Sequence, residues 1–183
     1  WTPSQDTNLL IKLPPQVHID LQTEHKVKTH MNELLNTQTQ YQPMEETDTS
    51  VDLTYFNHPV KSIHIAKTGT GATYLFNEAS LYINGTPLFE NMSYEYYSKV
   101  VPSRHCSVLS PTLDSECVAT WPFCLTMNKS QPTGTLNFSR IDSAKLAINS
   151  PTSGDTPKLT RAYAVNYNIL RIKNGMGGVA FGN

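Results

Sequence analysis

Charge is scarce in this chain of 183 residues. Only 16% of side chains are Asp, Glu, Lys or Arg, and 15 acidic against 14 basic groups leave a formal charge of −1. Neither sign is gathered into a block, so the basic patch that grips a nucleic-acid backbone is missing and direct nucleic-acid binding is not expected. Cysteine is scarcer still. Cys106, Cys117 and Cys124 form an odd set whose spacings fit neither a four-ligand zinc site nor a paired framework, so reduced thiols are expected. No apolar run approaches the roughly 20 residues of a membrane-spanning helix, and no charged-then-apolar leader opens the sequence, which reads as a soluble chain.

Chemical signatures are equally thin. There is no His-x-His pair, and His25 and His30, five residues apart, would lie on different faces of a helix, so neither a cupin-like metal site nor a cluster with His18 is expected. His105 adjoins Cys106, a spacing that points the two side chains apart in extended backbone and denies the thiol a base. The carboxylate pairs Glu45 with Glu46 and Asp114 with Glu116 sit in turn-rich stretches rather than a cleft. "TGTGATY" (68–74) lacks the third glycine and following helix of a dinucleotide site and reads as a hairpin turn. No catalytic, metal or cofactor site is expected, and the protein reads as a non-enzyme.

What is abundant is Thr, Ser, Asn and Pro, with apolar residues in alternation, the balance of a strand-and-loop protein. "VHIDL" (17–21), "VDLTYF" (51–56) and "VKSIHIA" (60–66) alternate, and "ASLYINGTPLF" (79–89) carries an Asn84-Gly85 turn signal. "VATWPFCLTM" (118–127) would set Trp121, Phe123, Leu125 and Met127 on one face, and "TGTLNFSRI" (133–141) would pair Leu136 with Phe138. "RAYAVNYNILRI" (161–172) would turn Tyr163, Val165, Tyr167 and Ile169 to the core and Asn166 and Asn168 away from it. Val27, Met31, Leu34 and Leu35 share a helical face with Thr23 as N-cap, residues 36–50 read as a loop or edge strand, and a second short helix is expected at about 93–100, closed by Pro102. About eight strands with short helices in the loops specify an all-β antiparallel jelly-roll sandwich. Long loops are expected at 36–50, 78–92, 103–119 and 149–157.

Individual residues raise their own questions. Asn84, Asn91, Asn128 and Asn137 each open an Asn-x-Ser/Thr sequence, but with 14 Asn in the chain and about one residue in five Ser or Thr, roughly three such sequences arise by chance. Arg140 and Arg171 fall in late strands beside large apolar groups, where a guanidinium needs an ion pair or a contact with a neighbouring subunit. Tyr94, Tyr96 and Tyr97 on the short helix fit the core and an interface equally well. After "YNILRI", Gly175, Gly177 and Gly178 have too few residues behind them to build a phosphate-binding helix. They read as a turn that lets Val179 and Phe181 fold back, so Gly177→Val is expected to impair folding or assembly.

Four stretches then resemble one family. "QPTGTLNFSRIDSAKLAI" (131–148) and "YAVNYNILRIKNGMGGVAFGN" (163–183) are the most specific; "FNHPVKSIHI" (56–65) and "ASLYING" with "YEYYSKVVP" (79–102) follow the same order. Together they resemble the C-terminal part of the major capsid protein of nucleocytoplasmic large DNA viruses, the group that includes iridoviruses and chlorella viruses. The resemblance implies the second half of a double jelly roll, with residues 1–15 an extended linker from a missing N-terminal part and 16–183 one jelly-roll domain. It implies homotrimers that form pseudo-hexagonal capsomers, neighbouring capsomers and minor capsid proteins as partners, and an icosahedral virion capsid assembled in the host cytoplasm around an internal membrane that the chain meets only indirectly. A minor capsid protein, or a glycan-binding jelly-roll module using Trp1, Tyr41 or Tyr94, is the alternative.

Overall fold

The computed structural model describes residues 32–44, 49–68, 76–106, 116–149, 159–173 and 175–182. The strands are β1 (Asn32–Pro43), β2 (Ser50–Asp52), β3 (Pro59–Thr68), β4 (Glu78–Ile83), β5 (Thr86–Ser93), β6 (Glu116–Pro122), β7 (Leu136–Asn137), β8 (Ala144–Asn149), β9 (Leu159–Lys173) and β10 (Met176–Val179). A π-helical segment, Tyr96–Val100, runs into α1 (Val101–His105), and a 3-10 turn, Phe138–Arg140, follows β7.

One sheet has the order β1-β9-β3-β6, with β10 beside β9 and β7 beside β3; the other is β2-β8-β4-β5. Every pairing is antiparallel. The chain crosses repeatedly between the two sheets, which is how a jelly roll buries both inner faces. The all-β jelly-roll sandwich expected from the sequence is the fold observed.

Period-2 alternation decides what lies between the sheets. Val60, Ile63 and Ile65 of β3, Ala119 and Trp121 of β6, and Ala162 and Ala164 of β9 meet Val51, Ala79, Leu81, Leu146 and Ile148 from the opposite sheet. Aromatic rings close the interior: Tyr97 lies 4.6 Å from Trp121 and 6.1 Å from Phe76, and Phe76 meets Tyr94 edge-on at 5.5 Å. The Tyr97 hydroxyl donates to the Ala79 carbonyl at 3.0 Å, so the ring is held at both ends.

Two turns need their particular residues. Asn84 (φ 49°) and Gly85 (φ 77°) both adopt left-handed backbone in the β4–β5 hairpin, as a two-residue hairpin loop demands. Gly134 sits at φ 133°, and a Cβ there would stand 3.1 Å from the Phe123 carbonyl oxygen. That region of backbone space is open essentially to glycine alone.

Several sequence expectations are corrected by the structure. Leu34 and Leu35 are not helical but belong to β1, whose twelve residues pair without interruption to β9; long-range pairing overrides the local helical periodicity. The rest of that helix and the strand at 17–21 lie outside the described residues. Residues 36–43 are thus the edge strand rather than a loop, and 78–92 is the β4–β5 hairpin rather than a loop. "VDLTYF" yields only the short β2, after which Leu53 and Phe56 are buried from a turn. β6 stops at Pro122, leaving Leu125 exposed, and "TGTLNFSRI" is two strand residues and a 3-10 turn. Pro102 does not close the helix: it sits in the first turn of α1, where its missing N–H is not needed.

Candidate assembly surfaces

The largest correction concerns β9. Its inward side chains are Ala162, Ala164, Asn166 and Asn168, all buried, while Tyr163, Val165 and Ile169 point the other way and are half-buried. Small Ala residues face inward because Trp121, Tyr97 and Phe76 already fill the interior. Tyr167 also faces outward but is buried. Lys61, on the bulge of β3, sets its ammonium 5.7 Å from the Tyr167 ring and donates to the Lys129 carbonyl at 2.9 Å. Burial there raises the Tyr167 hydroxyl and the Cys124 thiol above their ordinary pKa values.

The two inward asparagines hold the lower end of the sandwich together. Asn166 Nδ2 donates to Gln40 Oε1 (2.7 Å) and to the Asn57 carbonyl (3.0 Å), while the Asn57 N–H donates to the same Gln40 oxygen (3.0 Å). Asn168 Nδ2 donates to the Phe181 carbonyl (2.8 Å) and Gln38 Oε1 (3.3 Å), and its Oδ1 accepts from the Ile169 N–H. Gln38 Nε2 and Asn166 Oδ1 are buried without a partner, and they belong to residues directly opposite in the β1–β9 ladder. A buried amide network of this kind fixes one register, because a slip strands every member. Two Asn at i and i+2 in mid-strand were its sequence signal.

The sequence-predicted residues are scattered rather than gathered. Arg171 Nη2 and Nε meet Glu33 Oε1 at 2.8 and 3.0 Å, an exposed ion pair joining β9 to β1. Arg140 lies not in a strand but at the exposed end of the 3-10 turn. Tyr97 is fully buried in the core, and burial pushes its hydroxyl up to about 12; Tyr96 is half-buried at 5.4 Å from it. Gly175 (φ 77°) makes the β9–β10 turn, whereas Gly177 and Gly178 lie in β10 with ordinary φ values. A Cβ on Gly177 would only touch Ile172 Cγ1 at 3.9 Å, so the expected close backbone approach is not there. Phe181 is largely exposed, its ring 6.5 Å from that of His58. A cleft of about 360 Å3 lies along β10, lined by Arg171, Lys173 and 176–180.

The four sequon asparagines do different work. Asn84 Oδ1 accepts from the Asp142 and Ser143 N–H groups at 3.0 Å each, bonding the hairpin tip to the start of β8. Asn91, at φ 47°, accepts from Ser80 Oγ, and Asn137 Oδ1 caps the 3-10 turn through the Ser139 N–H. Asn128 is exposed in the loop after β6.

One arrangement imitates a catalytic centre. Ser62 Oγ lies 2.9 Å from His64 Nε2, and His64 Nδ1 lies 3.0 Å from Thr120 Oγ1. Yet Ser62 is 2% exposed, and a nucleophile must reach its substrate. Burial alone draws the His64 pKa down to about 4, so the ring is a neutral clamp between β3 and β6. Among the described residues no three His, Cys, Asp or Glu side chains form a metal-binding group, and no helix is long and apolar enough to cross a membrane.

The outward faces of the sheets contrast. That of β2-β8-β4 carries Asp52, Glu78 and Lys145 among Ser50, Ser80 and Tyr82. Across β1 and β9 the outward residues between Glu33 and Tyr41, and between Tyr163 and Ile169, bear no charge.

Comparison with known proteins places this sandwich. Residues 15–178 match the family model described as the large eukaryotic DNA virus major capsid protein. The chain is 29% identical to the major capsid protein of Pyramimonas orientalis virus over 91% of its own length and 47% of that protein's. It is 33% identical to that of Paramecium bursaria Chlorella virus 1 over 60% of its length and 29% of the relative's. In structure it resembles the PBCV-1 virus capsid with a TM-score of 0.68 and 25% identity, covering 85% of this chain and 52% of that one. The Faustovirus major capsid protein, 13% identical with a TM-score of 0.56 over 78% of this chain and 34% of that one, shares the fold. The chain therefore spans about half or less of the length of the relatives it matches.

Proposed function

The chain belongs to the large eukaryotic DNA virus major capsid protein family, and from that premise we propose that it is a structural element of a viral shell, the C-terminal jelly roll of a capsid subunit. The extent of the match carries the reading. It runs through both sheets, from ahead of β1 to within β10, so the whole sandwich is shared rather than one motif.

A shell protein works by holding geometry. The amide network, the aromatic plug and the glycine-dependent turns make the sandwich rigid, and many modest contacts on its surface then sum to a stable lattice. On this reading subunits associate as homotrimers, the trimers present a pseudo-hexagonal outline, and neighbouring capsomers and minor capsid proteins contact their sides. The Arg171–Glu33 pair and the β9–β10 hairpin are rim features available to those contacts. Neither nucleic acid nor lipid is bound directly, assembly takes place in the host cytoplasm, and no substrate is turned over. Residues 1–15 serve as the link from a preceding jelly roll.

Mass measurement in solution followed by electron microscopy tests the proposal. Trimers or larger arrays with a hexagonal outline are expected. A monomer that binds glycans and never self-assembles would favour the lectin-like alternative and overturn this one.

A further inference from the structure

We propose that Asn84 is a self-modifying site: the Gly85 nitrogen attacks the Asn84 side-chain carbonyl carbon, ammonia leaves, and water opens the resulting ring to leave an aspartate at that position.

The first observation is what holds the amide oxygen. Asn84 Oδ1 accepts from two backbone N–H groups, those of Asp142 and Ser143, at 3.0 Å each, and the Asn84 N–H donates to the Ser143 carbonyl at 2.7 Å. These donors lie 58 and 59 residues further along the chain, so the fold supplies them and an isolated hairpin would not. Two fixed N–H dipoles on one carbonyl oxygen are the donor set that stabilises a tetrahedral oxyanion.

The second observation is the nucleophile and the room around it. The Gly85 nitrogen is separated from Asn84 Cγ only by rotations about the Asn84 χ1 and ψ bonds, so ring closure costs no translational freedom. Gly85 has no Cβ to obstruct it, and one built there would meet nothing within 4 Å. Asn84, Gly85 and Thr86 are all exposed, which lets hydroxide and water in and ammonia out.

The bonds balance without an oxidant or a reductant. Hydroxide takes the Gly85 amide proton, the N–Cγ bond forms, and the negative charge collects on Oδ1 between the two N–H groups. Collapse breaks the Cγ–Nδ2 bond, and the departing nitrogen takes a proton from water to become ammonia. Of the two carbonyls in the cyclic imide, only the former side-chain one is polarised by Asp142 and Ser143, so water adds at Cγ and restores the normal main chain with a carboxylate. Addition at the other carbonyl gives isoaspartate, which predominates in an unrestrained chain. Here it would insert a methylene between Ile83 and Thr86, which are paired across the two-residue turn. The aspartate keeps both N–H donors in bonds that are now charge-assisted. The hairpin therefore tightens onto the start of β8 as the molecule ages.

Incubation of the 183-residue chain at mildly alkaline pH tests this, read by peptide mass mapping and an isoaspartate assay, with a synthetic peptide of residues 79–89 as the unrestrained control. The folded chain is expected to convert at least as fast as the peptide and to give mainly aspartate, whereas the peptide gives mainly isoaspartate. Asp142→Pro removes one of the two donors, and Ile141 before it is already extended at φ −101° and ψ 124°, as a residue preceding proline prefers. It should slow conversion about tenfold, less than the 100- to 1,000-fold loss in an enclosed site because this one is exposed, and shift the product towards isoaspartate. Thermal unfolding checks that this variant folds, and the product ratio of the wild type decides the matter without it. Asn84 left intact when the peptide has converted, isoaspartate as the main product of the folded chain, or a folded Asp142→Pro that converts as the wild type does would each overturn the proposal.

Discussion

Lowering the pH from 7 towards 4 should loosen the sandwich through His64. Its ring bridges the Ser62 and Thr120 hydroxyls, faces Tyr163 across the β3–β9 ladder, and titrates at about 4 because burial penalises the charged form. In the unfolded chain it titrates near 6.5. Between those two values the unfolded state holds a proton that the folded state refuses, so stability falls as pH falls. The contribution is whole above about pH 6.5 and lost progressively down to about 4. A separation of that size is worth at most about 3 kcal/mol, and about 1–2 kcal/mol is expected, since the ring is only partly shielded and both hydroxyls can turn to accept from an imidazolium. Urea unfolding at pH 7, 6, 5 and 4.5 should be compared between the wild type and His64→Gln, which can bond the hydroxyls but cannot titrate. Carboxylates such as Asp52, held below its ordinary range by hydrogen bonds from Thr54, act in both proteins and cancel in the difference. The gap between the two should shift by about 1–2 kcal/mol against the wild type on acidification. A gap that stays constant from pH 7 to 4.5 would refute the reasoning.

Other substitutions test the remaining structural claims by thermal or urea unfolding. Gly134→Ala should cost about 2 kcal/mol, from its φ of 133° and the 3.1 Å approach to Phe123, whereas Gly177→Val, whose Cβ meets only Ile172 Cγ1 at an ordinary 3.9 Å, should stay within about 0.5 kcal/mol; equal losses would contradict both. Asn166→Ala should cost about 2 kcal/mol by taking the side-chain donor from the Asn57 carbonyl and one of two donors from Gln40 Oε1, and a neutral result would mean that the network does not hold the register. Tyr97→Phe keeps the ring packing and removes only the bond to Ala79, so a loss of about 1 kcal/mol is expected, with no loss if the hydroxyl is idle.

The fold class was legible because most strands announce themselves by alternation, and Asn84-Gly85 marked a true hairpin. Which way β9 faces was not legible. Alternation gives two faces but not their sense, and the larger apolar set was assigned inward by the rule for a solvated sandwich. The volume of Trp121 and Tyr97 on neighbouring elements decided otherwise, and sequence periodicity along β9 carries no information about that. Leu34 and Leu35 were misplaced for a related reason, since their partners Leu170 and Ile169 lie far along the chain. Among the glycines, the demanding position is Gly134 within "QPTG" rather than the conspicuous run at the end. A glycine's necessity depends on φ and on what its missing Cβ would meet, and neither is written in composition.

The central place of β9 also sets the order in which the molecule can be made. The final long strand separates β1 from β3, and the pair Asn32–Ile172 spans about 140 residues. At roughly 5–20 residues per second of synthesis, β1 waits about 7–28 s before β9, the strand it pairs with, is complete. Its stretch from Leu34 to Gln42 contains no charge, no proline and no bulge to discourage a stray partner. The interval between emergence of β1 and arrival of β9 is therefore when this sandwich most needs a chaperone, and slowing translation after residue 150 should raise the fraction that aggregates.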